Sequence, residues 1–227
     1  MSEWRRFASR EELDCALAAH LAARLGAAIE QHGAASIALS GGSTPKGMFA
    51  QLSRQPLDWD RVYVTLVDER WVDADHADSN ERLLRENLLV GPAADARFIG
   101  LKSPAPSASE GLAASTEQLS ALPLPLTCVV LGMGGDGHTA SWFPRAANLA
   151  ALLDPGNPAL LGTCDPVTAP HQRITLTLPV VLAAGEIILH ITGEEKTGVL
   201  AAAAARHYPV AAITEQQANP ATIWWAP

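Results

Sequence analysis

The run 131–141 holds the residues best suited to chemistry, because its glycines surround an aspartate and a histidine. Asp136 and His138 stand two positions apart, directly after the apolar stretch 126–131. A histidine titrates near neutral pH, so His138 can take a proton from water or return one to a leaving group. Asp136 can orient that ring or stabilise its charged form. The pattern predicts a general base at His138, although a capped, solvated histidine explains it equally well.

The same run formally contains the dinucleotide signature GxGxxG at positions 132–137. That signature should open a long helix near the start of a βαβ unit. Here it lies in the middle of the chain, and Pro144 and a proline-rich stretch follow it closely. The glycines are therefore better explained as a turn that presents the histidine, and we expect no nicotinamide cofactor.

A second glycine-containing segment, residues 40–45 (SGGSTP), has the composition of a phosphate-binding loop. Gly42 permits close backbone approach to a ligand, and Ser43 and Thr44 add hydroxyl donors. A helix beginning at Pro45 would supply free N–H groups, with Thr44 as its cap. The segment lacks the lysine of a Walker A loop, so ATP is not implied. A tight strand-to-helix turn remains the alternative.

Four further charged residues can complete such a site. Asp68 and Arg70 follow the apolar strand 62–67. Arg70 can bind a carboxylate, a phosphate or a developing oxyanion, and Asp68 can contact hydroxyl groups or hold His138 or Arg70. Arg173 and Lys196 are separate cations that can bind phosphate. Each of the four, taken alone, is also explained as an ordinary surface charge.

Other polar residues have simpler interpretations. The crowded residues Asp73, Asp75, His76 and Asp78 lack a recognised ligand spacing, so we expect a solvated loop and no metal site. His190 lies within an apolar strand and is expected to be a satisfied core or edge residue.

Short apolar strands alternate with amphipathic helices along the chain, which predicts an α/β fold. We expect an open, mostly parallel, Rossmann-like sheet with helices on both faces, formed by one domain over residues 1–227. Strands are predicted at 36–40, 62–67, 126–131, 174–178, 187–192 and 223–225, and helices at 10–32, 45–53, 79–90, 108–121 and 194–206. Ligands bind at the carboxyl ends of strands in such sheets, where the segments 40–45, 68–70 and 132–138 would converge.

The amino-acid composition limits the kinds of partner and the location that we expect for the protein. The net charge of −8 argues against binding to nucleic acid or an anionic membrane. Three widely spaced cysteines indicate neither a disulfide framework nor a cysteine zinc site, and favour a reducing, cytoplasmic location. No apolar leader or membrane-spanning stretch is evident.

Taken together, the segments resemble the 6-phosphogluconolactonase family. The matching pieces occur in the family's order at 39–45, 67–72, 78–80, 131–141, 173–175 and 193–196. The resemblance implies a fold shared with glucosamine-6-phosphate deaminases, no metal or organic cofactor, and a place in the oxidative pentose phosphate pathway. Two positions depart from the family: Trp142 replaces the usual leucine, and Arg145 stands where glycine is common.

The resemblance also implies roles. Gly42, Ser43 and Thr44 would hold the substrate phosphate with Arg173 and Lys196. His138 would be the general base, with Asp136 as its neighbour, and Asp68 and Arg70 would line the lactone pocket. The expected reaction is hydrolysis of 6-phospho-D-glucono-1,5-lactone, its oxyanion stabilised by Arg70 or by backbone N–H groups. We expect a small-molecule substrate only, and a monomer or at most a weak dimer.

Three rival functions make different demands on the sequence. Deaminases of this fold carry a glutamate just after the histidine, whereas residues 139–143 are TASWF and contain no carboxylate. A non-catalytic sugar-phosphate sensor would need an effector domain, for which 227 residues leave no room. A dinucleotide oxidoreductase would have to bind NADP.

Overall fold

The computed structural model describes residues 2–227. Within them the strands are β1 Glu3–Arg6, β2 Ala35–Leu39, β3 Val62–Leu66, β4 Asp68–Arg70, β5 Arg97–Ile99, β6 Cys128–Leu131, β7 Leu161–Cys164, β8 Arg173–Leu176, β9 Ile187–Thr192 and β10 Thr222–Ala226. The helices are α1 Arg10–His32, α2 Lys46–Leu52, α3 Asn80–Asn87, α4 Ala108–Leu119, α5 Leu149–Leu152, α6 Leu178–Leu182, α7 Glu194–Ala201 and α8 Ala211–Thr214, with short 3₁₀ turns at Trp59–Arg61 and Gly91–Asp95.

Seven strands form one sheet in the order β1-β10-β9-β6-β2-β3-β5, and every neighbouring pair is parallel. The predicted α/β class with a mostly parallel sheet is thereby confirmed. The chain builds outward from β2 through β3 to β5, then returns to the other side of β2 with β6. Strand order reverses between β2 and β6, and such a reversal leaves a crevice at the carboxyl ends of the two strands.

A second, three-stranded antiparallel sheet with the order β4-β8-β7 was not predicted. Its strands have three or four residues each. The segment 68–70, expected to be a strand end, is itself a strand here, and Arg70 pairs with Arg173 across it. This small sheet brings the segments 68–70 and 173–176 to one edge of the crevice.

The long helix α1 follows its predicted bounds because both of its ends are capped. Ser9 accepts a hydrogen bond from the Glu12 amide, and Gly33 ends the helix in the left-handed conformation with φ 83°. Its apolar ridge is fully buried; it comprises Leu13, Leu17, Leu21, Leu25 and Ile29. This ridge packs α1 against α2 and the sheet.

The structure corrects several local expectations. Thr44 does not cap α2: the cap position is Pro45, and no side-chain cap hydrogen bond forms. The predicted elements did not include α5 and β7, which lie in the proline-rich stretch after Pro144, and the last predicted helix, 194–206, ends at Ala201. The short strands β1 and β5 were also missed. None of the helices in residues 2–227 is long and apolar enough to span a membrane.

Candidate active site

A cleft of about 400 Å³ opens at the carboxyl ends of β2 and β6. Its size is in the range of small-molecule sites. All the predicted site residues except Asp136 and Arg173 line it, namely Gly42, Ser43, Thr44, Asp68, Arg70, His138 and Lys196. The three strand-end segments therefore meet at one cleft, as the sequence predicted.

His138 is oriented from two sides. Its Nδ1 lies 2.5 Å from Oδ1 of Asp136, which also accepts the His138 backbone N–H at 3.2 Å. The ring stacks on Phe143 with centroids 4.2 Å apart and planes inclined by 28°. With Nδ1 bonded to the carboxylate, Nε2 is the nitrogen left to exchange protons with a ligand or water. Asp136 lies behind the imidazole, which explains why it does not line the cleft.

The glycines around His138 are required by close packing. A Cβ on Gly134 would lie 2.2 Å from the His138 ring atoms. Gly137 has φ 77°, and a Cβ there would meet the Tyr208 ring at 2.4 Å. The Gly137 carbonyl accepts the Val210 amide, so the segment around residue 210 supports the histidine loop from behind. The glycine signature therefore serves a compact turn, as expected, rather than the start of a helix.

The loop 41–44 has the features of an anion site. Among residues 2–227, the amides of Gly41, Gly42, Ser43 and Thr44 find no hydrogen-bond acceptor. Gly42 adopts φ 97°, a conformation that exposes backbone N–H groups at low cost only for glycine. Unpaired amides at a concave loop bind anions well.

The back of this loop packs against α3. A Cβ on Gly41 would lie 1.9 Å from Oδ1 of Asn80, whose Nδ2 donates to the Asp68 carbonyl at 2.9 Å. Asn80 thus connects the loop after β2 to the strand β4. It lines the cleft, and although its motif was noticed in the sequence, no role was given to it.

Two of the predicted cations reach the cleft. In the described part of the chain, the Lys196 ammonium has no hydrogen bond or ion pair, so its charge is available to a ligand. The Arg70 guanidinium donates through Nη1 to the Asp78 carbonyl at 2.5 Å, which fixes its direction.

The two acidic residues of β4 have different surroundings: Asp68 faces the cleft, and Glu69 is buried. Asp68 lines the cleft, and its Oδ2 accepts from the Ser141 hydroxyl at 2.5 Å; the structure records no direct bond from Asp68 to His138 or Arg70. Glu69 is 1% exposed and accepts from the amides of Arg70, Asn80 and Glu81. Burial raises the pKa of Glu69, and the amide hydrogen bonds oppose that rise. Glu69 anchors the start of α3 and leaves Asp68 facing the ligand.

Arg173 is placed differently from the other predicted residues. It is 5% exposed, and its Nε and Nη1 have no hydrogen-bond partner. Its guanidinium carbon lies 5.8 Å from the centroid of Phe143, the ring that stacks on His138. Burial, followed by the charge of Arg70, lowers the pKa of Arg173. Arg173 therefore adds positive potential behind His138 and does not itself line the cleft.

His190 is buried as expected, at 3% exposure, but it is not satisfied. Neither ring nitrogen has a hydrogen-bond partner, and Nε2 lies 3.8 Å from Oδ1 of Asp14 on α1. Burial lowers the pKa of His190 to about 4 and raises that of Asp14 to about 6. The hydrophobic strand pattern predicted the burial but contained no information about the missing partner.

The two departures from the family pattern are accommodated. Trp142 is fully buried and donates from Nε1 to the Leu176 carbonyl at 2.9 Å. Arg145 adopts φ 66°, a region that favours glycine. Arg10, for which the sequence offered no motif, also lines the cleft, as does Glu195, which lies in the matching segment 193–196 but was given no role.

The open parallel sheet has a crevice that combines free loop amides, a lysine and a histidine oriented by a carboxylate. These features define an α/β protein with a cleft suited to a small anionic ligand. The chain belongs to the family of glucosamine-6-phosphate isomerases and 6-phosphogluconolactonases, whose model matches residues 8–224.

Individual relatives agree with this assignment. A 6-phosphogluconolactonase of Mesorhizobium japonicum is 44% identical over 99% of this chain and 95% of its own length. One of Rhizobium meliloti is 46% identical over 93% of each chain. The crystal structure of a 6-phosphogluconolactonase from Shewanella baltica superposes with a TM-score of 0.97 at 42% identity, covering 100% of this chain and 98% of that one.

Proposed function

We propose that the protein hydrolyses 6-phospho-D-glucono-1,5-lactone to 6-phospho-D-gluconate, with His138 as the general base. Relatives that are 44% and 46% identical over nearly the whole chain are named 6-phosphogluconolactonase, and they identify the chain as an enzyme that hydrolyses lactones. The observation that carries the mechanism is the 2.5 Å contact between His138 Nδ1 and Asp136 Oδ1 at the edge of the cleft.

The substrate phosphate binds first in this proposal. The free amides of residues 41–44 and the Lys196 ammonium offer several donors and one full positive charge to a dianion. Ser43 and Thr44 contribute their hydroxyl groups. Arg173, with its guanidinium outside the cleft lining, contributes long-range potential; its direct contact with phosphate stays a prediction. Anchoring at this end leaves the ring carbonyl to be positioned near His138.

The chemical step then uses the free Nε2 of His138. It removes a proton from a water molecule as the water oxygen bonds to the lactone carbonyl carbon. The resulting tetrahedral oxyanion is stabilised by Arg70, whose guanidinium lines the cleft, or by loop amides. The carbon–oxygen bond of the ring then breaks, and the proton on Nε2 passes to the departing ring oxygen. Asp136 stabilises the imidazolium between these two transfers.

Asp68 completes the proposed pocket. Because Ser141 occupies only its Oδ2, the other carboxylate oxygen remains available to a sugar hydroxyl. The deaminase reaction of the same family needs a further acid–base group near the histidine, whereas residues 139–143 contain no carboxylate and Phe143 stacks on the ring. Hydrolysis is therefore the better fit to this cleft.

The test is an assay with freshly generated lactone, coupled to 6-phosphogluconate dehydrogenase and corrected for spontaneous hydrolysis. His138→Ala should lose about 10²–10⁴-fold in turnover while still binding the product. His32→Ala, which removes an exposed histidine at the end of α1, serves as the matched control. Near wild-type turnover by His138→Ala would overturn the role of the histidine. Ammonia release from glucosamine 6-phosphate would instead favour the deaminase reaction.

The remaining expectations belong to the same proposal. The enzyme would act as a monomer or weak dimer in the cytoplasm, on a small-molecule substrate, without nucleic acid or membrane partners. The hydrolysis as written needs no metal or organic cofactor, because the histidine performs both proton transfers.

A further inference from the structure

Two loops meet outside the residues that line the cleft. His76 and Asp78 lie between β4 and α3, and His171 lies just before β8. The His171 Nε2 is 2.9 Å from Asp78 Oδ2, and the His76 Nδ1 is 3.9 Å from the same oxygen. All three potential ligand atoms lie within 4.8 Å of one another. The sequence predicted a solvated loop at 73–78 because the spacing of its residues matches no recognised ligand set, and it gave no sign that His171, 93 positions from Asp78, would join them.

The spacing is close to that of a metal site. Ligand atoms about 2.1 Å from a tetrahedrally coordinated ion lie roughly 3.4 Å apart. The His171–Asp78 distance is shorter than this value, and the His76–Asp78 distance is longer. His76 and Asp78 are about half exposed, so modest side-chain rotations suffice to equalise the distances.

The donor set selects a type of ion. Two imidazoles and one carboxylate suit Zn²⁺, Co²⁺ and Ni²⁺, whereas Mg²⁺ and Ca²⁺ prefer oxygen ligands throughout. The Asp78 amide donates to His76 Nδ1 at 3.0 Å, so that nitrogen carries no proton in this arrangement. A metal ion would take over the same lone pair.

The backbone holds the third ligand in place. His171 adopts φ 68°, which is uncommon for residues other than glycine, asparagine and aspartate. Its ring meets His76 edge-on, with centroids 5.4 Å apart. The next residue, Gln172, accepts the Trp71 amide through its carbonyl at 2.7 Å and so ties the two loops together.

We propose that His76, Asp78 and His171 bind one divalent transition-metal ion of the Zn²⁺ type at the junction of these loops. The ion would cross-link segments 93 positions apart in the chain. Because the Asp78 carbonyl holds Arg70, metal binding would also restrain that guanidinium at the cleft. The site stands apart from the proposed hydrolysis, which uses neither histidine.

The test is calorimetric titration of metal-free protein with Zn²⁺, together with Co²⁺ absorption as a report on coordination geometry. We expect one ion per chain and intense visible Co²⁺ bands typical of four-coordination. His171→Asn, which tolerates the positive φ, and His76→Ala should each weaken binding at least tenfold and abolish those bands. Asp75→Asn, in the same loop, and His32→Ala control for the loss of charge or of a surface histidine.

Three outcomes would overturn the proposal. First, wild type could show no stoichiometric metal binding. Second, the cluster variants could bind the metal as tightly as wild type. Either result would mean that the cluster only forms the His171–Asp78 hydrogen bond. Alternatively, His138→Ala could remove the bound ion while the cluster variants keep it. Circular dichroism of each variant establishes that the fold is retained. Because binding is measured without substrate, failure here leaves the hydrolysis proposal intact.

Discussion

The Phe143 ring covers one face of the His138 imidazole, with centroids 4.2 Å apart. Stacking of this kind is worth about 0.5–1.5 kcal/mol beyond buried area. Phe143→Leu should therefore lower kcat about 2- to 10-fold by loosening the ring, with little change in KM. Phe98→Leu, which alters a ring on β5 outside the cleft, should leave kcat unchanged. An unaltered kcat in Phe143→Leu would mean that Asp136 alone orients the histidine.

Asp136→Asn keeps the size of the side chain but removes its charge. A hydrogen bond to a charged group contributes about 1.5–3 kcal/mol, so kcat should fall about 10- to 100-fold. KM should remain near wild type, because Asp136 does not line the cleft. Steady-state kinetics measure both quantities, and Asp165→Asn, an exposed residue, is the control. A rise in KM without loss of kcat would contradict an orienting role.

Lys196→Gln tests the phosphate subsite. Loss of one charge-assisted contact should raise KM for the phosphorylated lactone about 10- to 100-fold. The activity on unphosphorylated glucono-1,5-lactone should be unaffected. Lys102→Gln provides the comparison, since Lys102 lies outside the cleft lining and pairs with Asp73. Equal losses on both substrates would show that Lys196 acts elsewhere in the reaction.

Gly41→Ala should disturb the link between the anion loop and β4. The added Cβ would lie 1.9 Å from Asn80 Oδ1, and such overpacking costs about 1–3 kcal/mol of unfolding free energy. Asn80→Ala makes room for the methyl group. The double variant should therefore be less destabilised than the sum of the single variants, as measured by urea denaturation. Strict additivity would show that the two residues do not compete for the same space.

Asp14→Asn should stabilise the protein at neutral pH but not at pH 4. Desolvation raises the pKa of Asp14 from 3.8 to about 6, opposed by the Met48 amide and Arg10. A raised carboxyl pKa means that the folded state binds the proton more tightly, so this stabilisation is lost as pH rises from about 4 to 6. Above that window the variant should gain on the order of 1–3 kcal/mol.

His190 gives the opposite pH slope in both proteins. Its pKa is lowered to about 4, so its contribution to stability is lost as pH falls from 6.5 towards 4. Towards pH 8 His190 is neutral in both proteins, so the difference between Asp14→Asn and wild type there isolates Asp14 despite the 3.8 Å contact between the two side chains. Thermal or urea unfolding from pH 4 to 8 measures it, and a constant difference would refute the assignment.

The main sheet was predictable because its central strands are short, apolar and separated by helices. The second sheet was not. Its strand β8 was predicted at 174–178, but β4 and β7 are too short to show a pattern, and the three strands pair only through contacts that are remote in the sequence. The edge strand β1 carries Glu3, Arg5 and Arg6, and charges of this kind are common on edges but do not indicate a strand.

The site residues also fall into two groups: those that sequence motifs could identify and those whose surroundings only the structure shows. Motifs identified Gly42, His138 and Lys196, whose positions at strand ends fix where they lie. They could not show that Arg173 is buried beside Phe143, or that His171 meets Asp78, because those relationships depend on how the small sheet packs.

The strand reversal between β2 and β6 also affects how the protein reaches its active form. Gly132 donates to the Ser40 hydroxyl across 92 positions of chain, so the two halves of the cleft meet only after a very large loop has closed. Contacts of such high sequence separation form slowly during folding. The helix α1, by contrast, depends on contacts between near neighbours. After dilution from denaturant, enzyme activity should therefore recover more slowly than the helical circular dichroism. The delay between the two would measure how long these two strands take to pair.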